Sequence, residues 1–248
     1  MAVEKTDILE YDWRLDGESA KFSVDLALYD RAPDEEHTIL AFVGCFSNRE
    51  GRELTAGELR HIDSFIAKCE RKVKPLIGGY IEKATIRQYY FYLASRDDYE
   101  KLKTLAERER GFDCRIGGKL EPEWTSYFRI LYPDAAKYQS VRNEEQIGLL
   151  YERGDSEAPR RLNLHLFFAT PQARHAFEEA ALQEGFAIGE AEELESGDLP
   201  CGIVLHRICA LRKRDIDTVT VQAIRAAERF GGCLRYWDCP IVPGRGRG

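Results

Sequence analysis

Leu162-Asn163-Leu164-His165-Leu166-Phe167-Phe168, followed by Ala169-Thr170-Pro171, opens a stretch reaching Val242 whose reading decides the fold. Leu162, Leu164, Leu166 and Phe168 alternate with Asn163, His165 and Phe167, the period of two of a half-buried strand. A helix is predicted directly behind it. Thr170 offers an oxygen to the first free amides, Pro171 suits the first helical position, and Ala173, Ala176, Phe177 and Ala180 recur at helical spacing up to Gly185. Ala187 to Ala191 reads as a short strand. Gly202 to Ala210 reads as another, with Ile203 and Leu205 on one face and Val204, His206 and Ile208 on the other. A last helix starts near Asp215 and lines Ile216, Val219, Ala223, Ala226, Ala227 and Phe230 along one side; Gly231-Gly232 ends it, and Cys233 to Val242 supplies a closing strand. This order, βαββαβ, is the ferredoxin-like split unit.

The preceding residues repeat the theme. Tyr90 to Ser95, the helix Asp97 to Arg108 and Gly111-Phe112 match Leu164 to Ala169, the helix Pro171 to Gln183 and Gly185-Phe186 at a constant offset without a gap. Earlier, Thr55-Ala56-Gly57-Glu58 is a capping box, and Leu59, Ile62, Phe65, Ile66, Cys69, Val73 and Leu76 mark a long amphipathic helix expected to stop at Gly78-Gly79. Phe22, Val24, Leu26 and Leu28 alternate as a strand, Ile39 to Phe46 suits a central strand, and the loop Arg31 to His37 with Pro33 is expected to join them as a hairpin. The expected class is α+β, with two tandem ferredoxin-like domains whose antiparallel sheets carry helices on one face. Charged, poorly periodic sequence places the boundary near Glu157, giving domains at 1–156 and 157–243 and a flexible basic tail at 244–248. A chain of 248 residues accommodates two such domains.

Met1 to Leu9 carries Glu4, Lys5 and Asp7 where a secretory signal needs an apolar run, and no segment approaches the roughly 20 apolar residues that span a bilayer. A cytoplasmic protein is expected. Seven cysteines without paired short spacing fit a reducing compartment. A net charge of -7 argues against a general nucleic-acid binder and permits basic partners. That charge is concentrated. Between Ala176 and Pro200 stand Glu178, Glu179, Glu184, Glu190, Glu192, Glu193, Glu195 and Asp198, with no Lys or Arg. Such a run serves either as a solvated face or as a docking surface that steers a basic segment into salt-sensitive contact.

Gly185-Phe186-Ala187-Ile188 leading to Ala191-Glu192-Glu193-Leu194-Glu195, then Ala210-Leu211 and Asp215-Ile216-Asp217, resembles the regulator of ribonuclease activity B (RraB) family. Ala226-Ala227-Glu228-Arg229-Phe230 and Trp237 continue the likeness over about the last third of the chain. The resemblance implies a small ferredoxin-like cytoplasmic protein that binds a ribonuclease E type endonuclease and restrains RNA cleavage without being an enzyme. Where that family usually carries Tyr-Asp-Gly-Trp, this chain has Leu234-Arg235-Tyr236-Trp237, keeping only the tryptophan, and the family's acidic tail is replaced by Gly244-Arg245-Gly246-Arg247-Gly248. The amino-terminal part, with Asp12-Trp13 and Gly44-Cys45-Phe46, is similar to the domain of unknown function 695 (DUF695) family, a bacterial family that carries no established chemistry. The partner-binding candidates are therefore Glu190, Glu192, Glu193, Glu195, Asp198 and Trp237, although for the last a place as a core ring is the favoured reading.

Competing functions are weaker. His165, His175, His206, Cys201, Cys209, Cys233 and Cys239 lie close in sequence, but their spacing matches no zinc pattern, and nothing local supports a thiol nucleophile. Gly78-Gly79 and Gly117-Gly118 lack the flanks of a phosphate loop and read as a helix stop and a turn. Glu192-Glu193 stand in a polar turn, where water denies them general-acid work. Tyr89-Tyr90-Phe91-Tyr92 invites base stacking on a sheet face, yet at least one of the two alternating pairs must pack under helices. No catalytic group, metal or cofactor is expected.

Overall fold

The computed structural model of the chain describes residues 6–244. These divide into two compact units, one ending at Pro133 and the other beginning at Asp134. The expected tail residues Arg245 to Gly248 lie outside the described residues.

The first unit contains β1 (Ile8–Leu15), β2 (Glu18–Asp25), β3 (Ile39–Phe46), α1 (Ala56–Lys72), β4 (Leu76–Lys83), β5 (Ile86–Leu93), α2 (Arg96–Glu107) and β6 (Asp113–Leu120). Its sheet has the order β1-β2-β4-β5-β3-β6, with antiparallel neighbours throughout. From β3 to β6 this is the ferredoxin-like βαββαβ unit. The β1–β2 hairpin extends it beyond β4. The hairpin expected between β2 and β3 does not form, because β3 lies between β5 and β6 while β2 lies between β1 and β4. Asp16-Gly17 is the true turn: Leu15 pairs with Glu18, and both intervening residues have positive φ, 54° and 83°, as a two-residue hairpin with the right twist requires.

Both glycine pairs also lie inside strands, where they serve close packing. Helix α1 ends at Lys72, with Lys74 left-handed at φ 55° and Pro75 behind it. Gly78 and Gly79 sit at a bulge in β4, and a Cβ on Gly79 would stand 2.0 Å from the Ser23 carbonyl oxygen of β2. Gly118 lies in β6 beneath Tyr99 of α2, whose Cε2 would be 2.6 Å from an added Cβ. The ungapped internal match equates β5–α2 with β7 (Arg160–Phe168) and α4 (Pro171–Gln183), the third strand and second helix of one βαββαβ motif with the first strand and first helix of the other. It records a common strand-to-helix half, not equivalent positions.

Tyr89 and Phe91 face α1 and α2 in the core formed with Val43, Ile62, Phe65 and Leu102. The opposite face is closed by the chain that follows β6. Trp124 stacks on Tyr92 with ring centroids 3.7 Å apart, a π-helical turn at Tyr127–Leu131 follows, and Tyr127 donates its hydroxyl to the Asp25 carbonyl at 2.8 Å. Buried Glu121 organises this strap: it accepts from Tyr92 Oη (2.9 Å), Ser126 N (3.1 Å) and Ser126 Oγ (2.9 Å) and pairs with Lys119 at 2.7 Å. The helices α1 and α2 thus cover one face, as expected, and this strap closes the other. All four residues from Tyr89 to Tyr92 are buried, so none of their rings can receive a base.

The second unit adds α3 (Ala135–Glu152) before β7 and α4, then β8 (Ala187–Glu193), β9 (Cys201–Cys209), α5 (Lys213–Glu228) and β10 (Cys233–Asp238). The strand order β10-β7-β9-β8, antiparallel throughout, is again ferredoxin-like. Leu162, Leu164, Leu166 and Phe168 enter a core with Phe177, Leu205, Ile216 and Trp237. The division between units falls at Pro133, well before Glu157, because α3 packs on α5. Its inward residues include Gln139, Ser140 and Asn143, which leave no apolar stripe to recognise.

Two outcomes follow. Gly79→Ala places a methyl group against the Ser23 carbonyl at a backbone φ of 146° and should cost about 2–4 kcal/mol, read as a lower denaturation midpoint at constant slope. For Glu121, burial alone would raise the carboxyl, but Lys119, Ser126 and Tyr92 hold it below its ordinary value. Its contribution is therefore complete above the unfolded carboxyl's value of about 4.3 and is lost as pH falls through the folded one. Wild-type melting temperature should fall more steeply than that of Glu121→Gln between about pH 5 and 3; parallel curves would remove the carboxylate from this role.

Candidate functional site

Strand β8 lies at the edge of the second sheet, and the acidic run follows it. Its pairing with β9 is interrupted between Ile188 and Ala191, which puts Gly189 and Glu190 in a bulge. Beyond Glu193, paired with Cys201, the chain turns back with Leu194 N donating to Pro200 O at 3.0 Å. Edge, bulge and turn together explain why these side chains stand in water.

The acidic residues separate into two groups. Glu178 pairs with Arg174 and His175 at 3.3 and 3.0 Å, Glu184 with Arg229 at 2.5 Å, and Glu192 with His165 at 3.0 Å. Glu179, Glu190, Glu193, Glu195 and Asp198 are exposed and take part in no ion pair among the described residues. The structure therefore brings four of the six candidates into one unpaired acidic edge, and turns Glu192 onto the sheet face away from the helices.

On that face, Asn163, His165 and Phe167 of β7 alternate with the core leucines. His165 stacks on Tyr236 with centroids 4.1 Å apart, and its Nε2 lies 2.7 Å from Asp238 Oδ2. Asn163 donates to Asp238 Oδ1 at 2.7 Å, and its own Oδ1 lies 3.0 Å from His206 Nδ1. Burial, then Arg161, pushes the His206 imidazole below its ordinary value. Two glycines make the arrangement possible. A Cβ on Gly202 would lie 2.6 Å from the Phe167 ring, and one on Gly189 would lie 2.4 Å from His206 Nε2. Arg235 covers Phe167, 4.9 Å from its centroid. No periodicity in the sequence signals this network, since histidines and carboxylates meet here only through strand pairing.

Trp237 does not join the edge. Only 2% exposed, it pairs with Leu164 on the core side of the sheet and donates Nε1 to Asn143 Oδ1 at 2.7 Å. Asn143 also accepts from Gln139 at 2.8 Å and donates to Asp217 at 2.9 Å and Thr220 at 2.8 Å. Gln146 donates to the Trp237 carbonyl at 2.9 Å. The contact role expected for Trp237 is thus corrected: α3, α5 and β10 hold the ring inside, out of a partner's reach.

Among the described residues no group of three or more His, Cys, Asp or Glu side chains converges as metal ligands would. Burial pushes the Cys209 and Cys239 thiols up, and burial takes Cys69 up to about 12, the direction that keeps a thiol protonated and a poor nucleophile. No described helix is long and apolar enough to cross a membrane.

Because Asn143 uses all four of its hydrogen-bonding positions while wholly buried, Asn143→Ala should destabilise the second unit by about 2–4 kcal/mol. Loss of the Trp237 fluorescence transition at lower denaturant, with a red-shifted native emission, is the expected reading; an unchanged midpoint would refute the hub.

No curated protein matches the chain. Among solved structures, a crystal structure of an unknown protein from Galdieria sulphuraria aligns over 83% of this chain and 98% of that one at 11% identity, with a TM-score of 0.22, a likeness too slight to build on. Residues 140–239 match the model of the family described as regulator of ribonuclease activity B. The match starts inside α3, at 140 and not at the expected 157, and so takes in the Asn143 hub as well as the acidic edge. The second unit, from within α3 to the end of β10, carries a regulator of ribonuclease activity B domain.

Proposed function

We propose that this chain is a non-catalytic cytoplasmic regulator that binds a ribonuclease protein, of the ribonuclease E type, through the acidic edge of its second unit. The match of residues 140–239 to a regulator family carries the reading. The edge supports it. Glu190, Glu193, Glu195 and Asp198 stand exposed and take part in no ion pair among the described residues, which supports attraction of a basic segment of a partner. Glu192 is held by His165 and contributes less while that contact lasts. The first unit, on the sequence likeness to domain of unknown function 695, is a companion domain with no chemistry assigned to it, and the contact is proposed as protein to protein, without nucleic acid, cofactor or membrane.

The test uses the full chain with Glu190, Glu193, Glu195 and Asp198 changed together to Lys. Binding to a purified ribonuclease E type endonuclease, followed by interferometry, should weaken at least about tenfold while the melting temperature is kept. Wild-type binding should itself decline as salt rises, since screening acts within about 8 Å at physiological ionic strength. Undiminished binding of the folded variant would overturn the proposed surface, and wild-type protein that neither binds the endonuclease nor slows its RNA cleavage would overturn the function.

A further inference from the structure

One imidazole on the sheet face opposite the helices is enclosed between two carboxylates. His165 is 8% exposed. Its Nδ1 lies 3.0 Å from both Glu192 carboxylate oxygens, and its Nε2 lies 2.7 Å from Asp238 Oδ2. A neutral imidazole has one N–H, so it donates to one carboxylate and turns a lone pair on the other. Only the imidazolium donates to both. Glu192 spans two strands to reach this ring: it belongs to β8, pairs with Gly202 of β9 and meets His165 on β7. A Cβ on Gly202 would stand 3.0 Å from the Glu192 Cβ as well as against Phe167, so the path across β9 depends on that glycine.

The groups around the ring are few. Glu192 faces it from β8, Asp238 and the stacked Tyr236 from β10, and His206 through Asn163 from β9 and β7. Arg235 of β10 stands over the adjacent Phe167, and Arg161 lies further along β7, where it acts on His206. The two carboxylates are not held equally. Asp238 has a second anchor in Asn163 Nδ2 at 2.7 Å, whereas Glu192 has His165 as its one ion-pair partner among the described residues.

We infer that His165 is a protonation-dependent brace: as imidazolium it ties Glu192 to Asp238 across the sheet, and as neutral imidazole it keeps Asp238 and releases Glu192 to the acidic edge. Deprotonation removes one positive charge and frees one carboxylate next to Glu190 and Glu193. The attraction of the edge for a basic segment therefore rises with pH. This regulation rests on the acidic-edge reading, whereas the brace itself does not.

Nuclear magnetic resonance of the full chain decides the brace without any partner. Both ring nitrogens of His165 should be protonated at the acidic end of a titration, and the Glu192 side-chain carboxyl carbon should shift with the same midpoint as the ring. The Glu192 transition should vanish in His165→Gln and persist in His206→Gln. A ring with one bare nitrogen throughout the range, or a Glu192 signal indifferent to the ring, overturns the brace. The second arm measures a fluorescent deca-arginine peptide, whose guanidinium charges do not titrate. Its affinity for wild type should rise about two- to threefold across the transition relative to His165→Gln. Equal pH profiles for the two proteins overturn the regulation. If the peptide binds neither protein at any pH while the Glu192 transition is present, the acidic-edge reading fails and the brace stands.

Discussion

The amide of Asn143 is the constraint on which the second unit turns. Enclosed completely, it accepts from Trp237 and Gln139 and donates to Asp217 and Thr220. Four directional bonds from one rigid group leave α3 a single rotation and a single height against α5 and β10. An apolar contact of equal area would tolerate a slide of several tenths of an ångström. A buried amide left without partners costs about 1–3 kcal/mol, so a displaced helix is penalised at every bond. The Lys213–Asp217 pair at 2.8 Å and Ser140 Oγ, which donates to Asp217 Oδ2 at 2.8 Å, hold the acceptor side in turn. β10 thereby gains a cover over its core face and keeps its pairing with β7 across a bulge between Leu234 and Tyr236, and β7 carries His165 and Asn163 to the opposite face.

That same chemistry marks the limit of what the sequence discloses. Alternating Leu162, Leu164, Leu166 and Phe168 and the capped α4 and α5 announce themselves because burial there is apolar and periodic. Helix α3 hides because its inward side is Gln, Ser and Asn. Strand β1 hides for the converse reason: Glu10, Asp12 and Arg14 dominate its alternation, although Asp16-Gly17 is a readable hairpin signal. Gly78-Gly79 misleads because glycine before an apolar run suits a helix stop and a strand bulge alike; only the closeness of Ser23 O selects the bulge. Within the candidate site, the acidic run was legible as composition, and which carboxylates lack cations was not, since Arg229, Arg174 and His165 reach their partners through folding.

Edge strands expose backbone donors and acceptors that would pair with any extended chain, and charge is a common protection. On β8 the bulge at Gly189 and Glu190 and the carboxylates of Glu190 and Glu193 meet that need. Protection alone does not account for the composition. Lysine would serve equally, and a run with both signs would keep β8 soluble without a net field. The single sign persists through the turn, at Glu195 and Asp198, where no strand edge requires it. A surface of one sign repels like surfaces and attracts the opposite one at a distance, which is a property useful for selecting a partner and idle for folding.

The two faces of the second sheet obey different rules, and glycine draws the line between them. On the helix side every residue of β7 fills volume. On the other side Gly202 and Gly189 remove side chains so that Phe167 and His206 can lie across the neighbouring strands. Glycine in a strand interior costs stability through backbone entropy and lost packing, so two of them on one face require an offset. Here the offset is the polar network they admit: Glu192 to His165, His165 to Asp238, Asp238 to Asn163 and Asn163 to His206. Phe167, capped by Arg235, lies beside the acidic turn, where a Cβ on Gly197 would stand 3.7 Å from Nη2 of the same guanidinium. Arg235 thus stands between the polar network of the sheet face and the acidic turn.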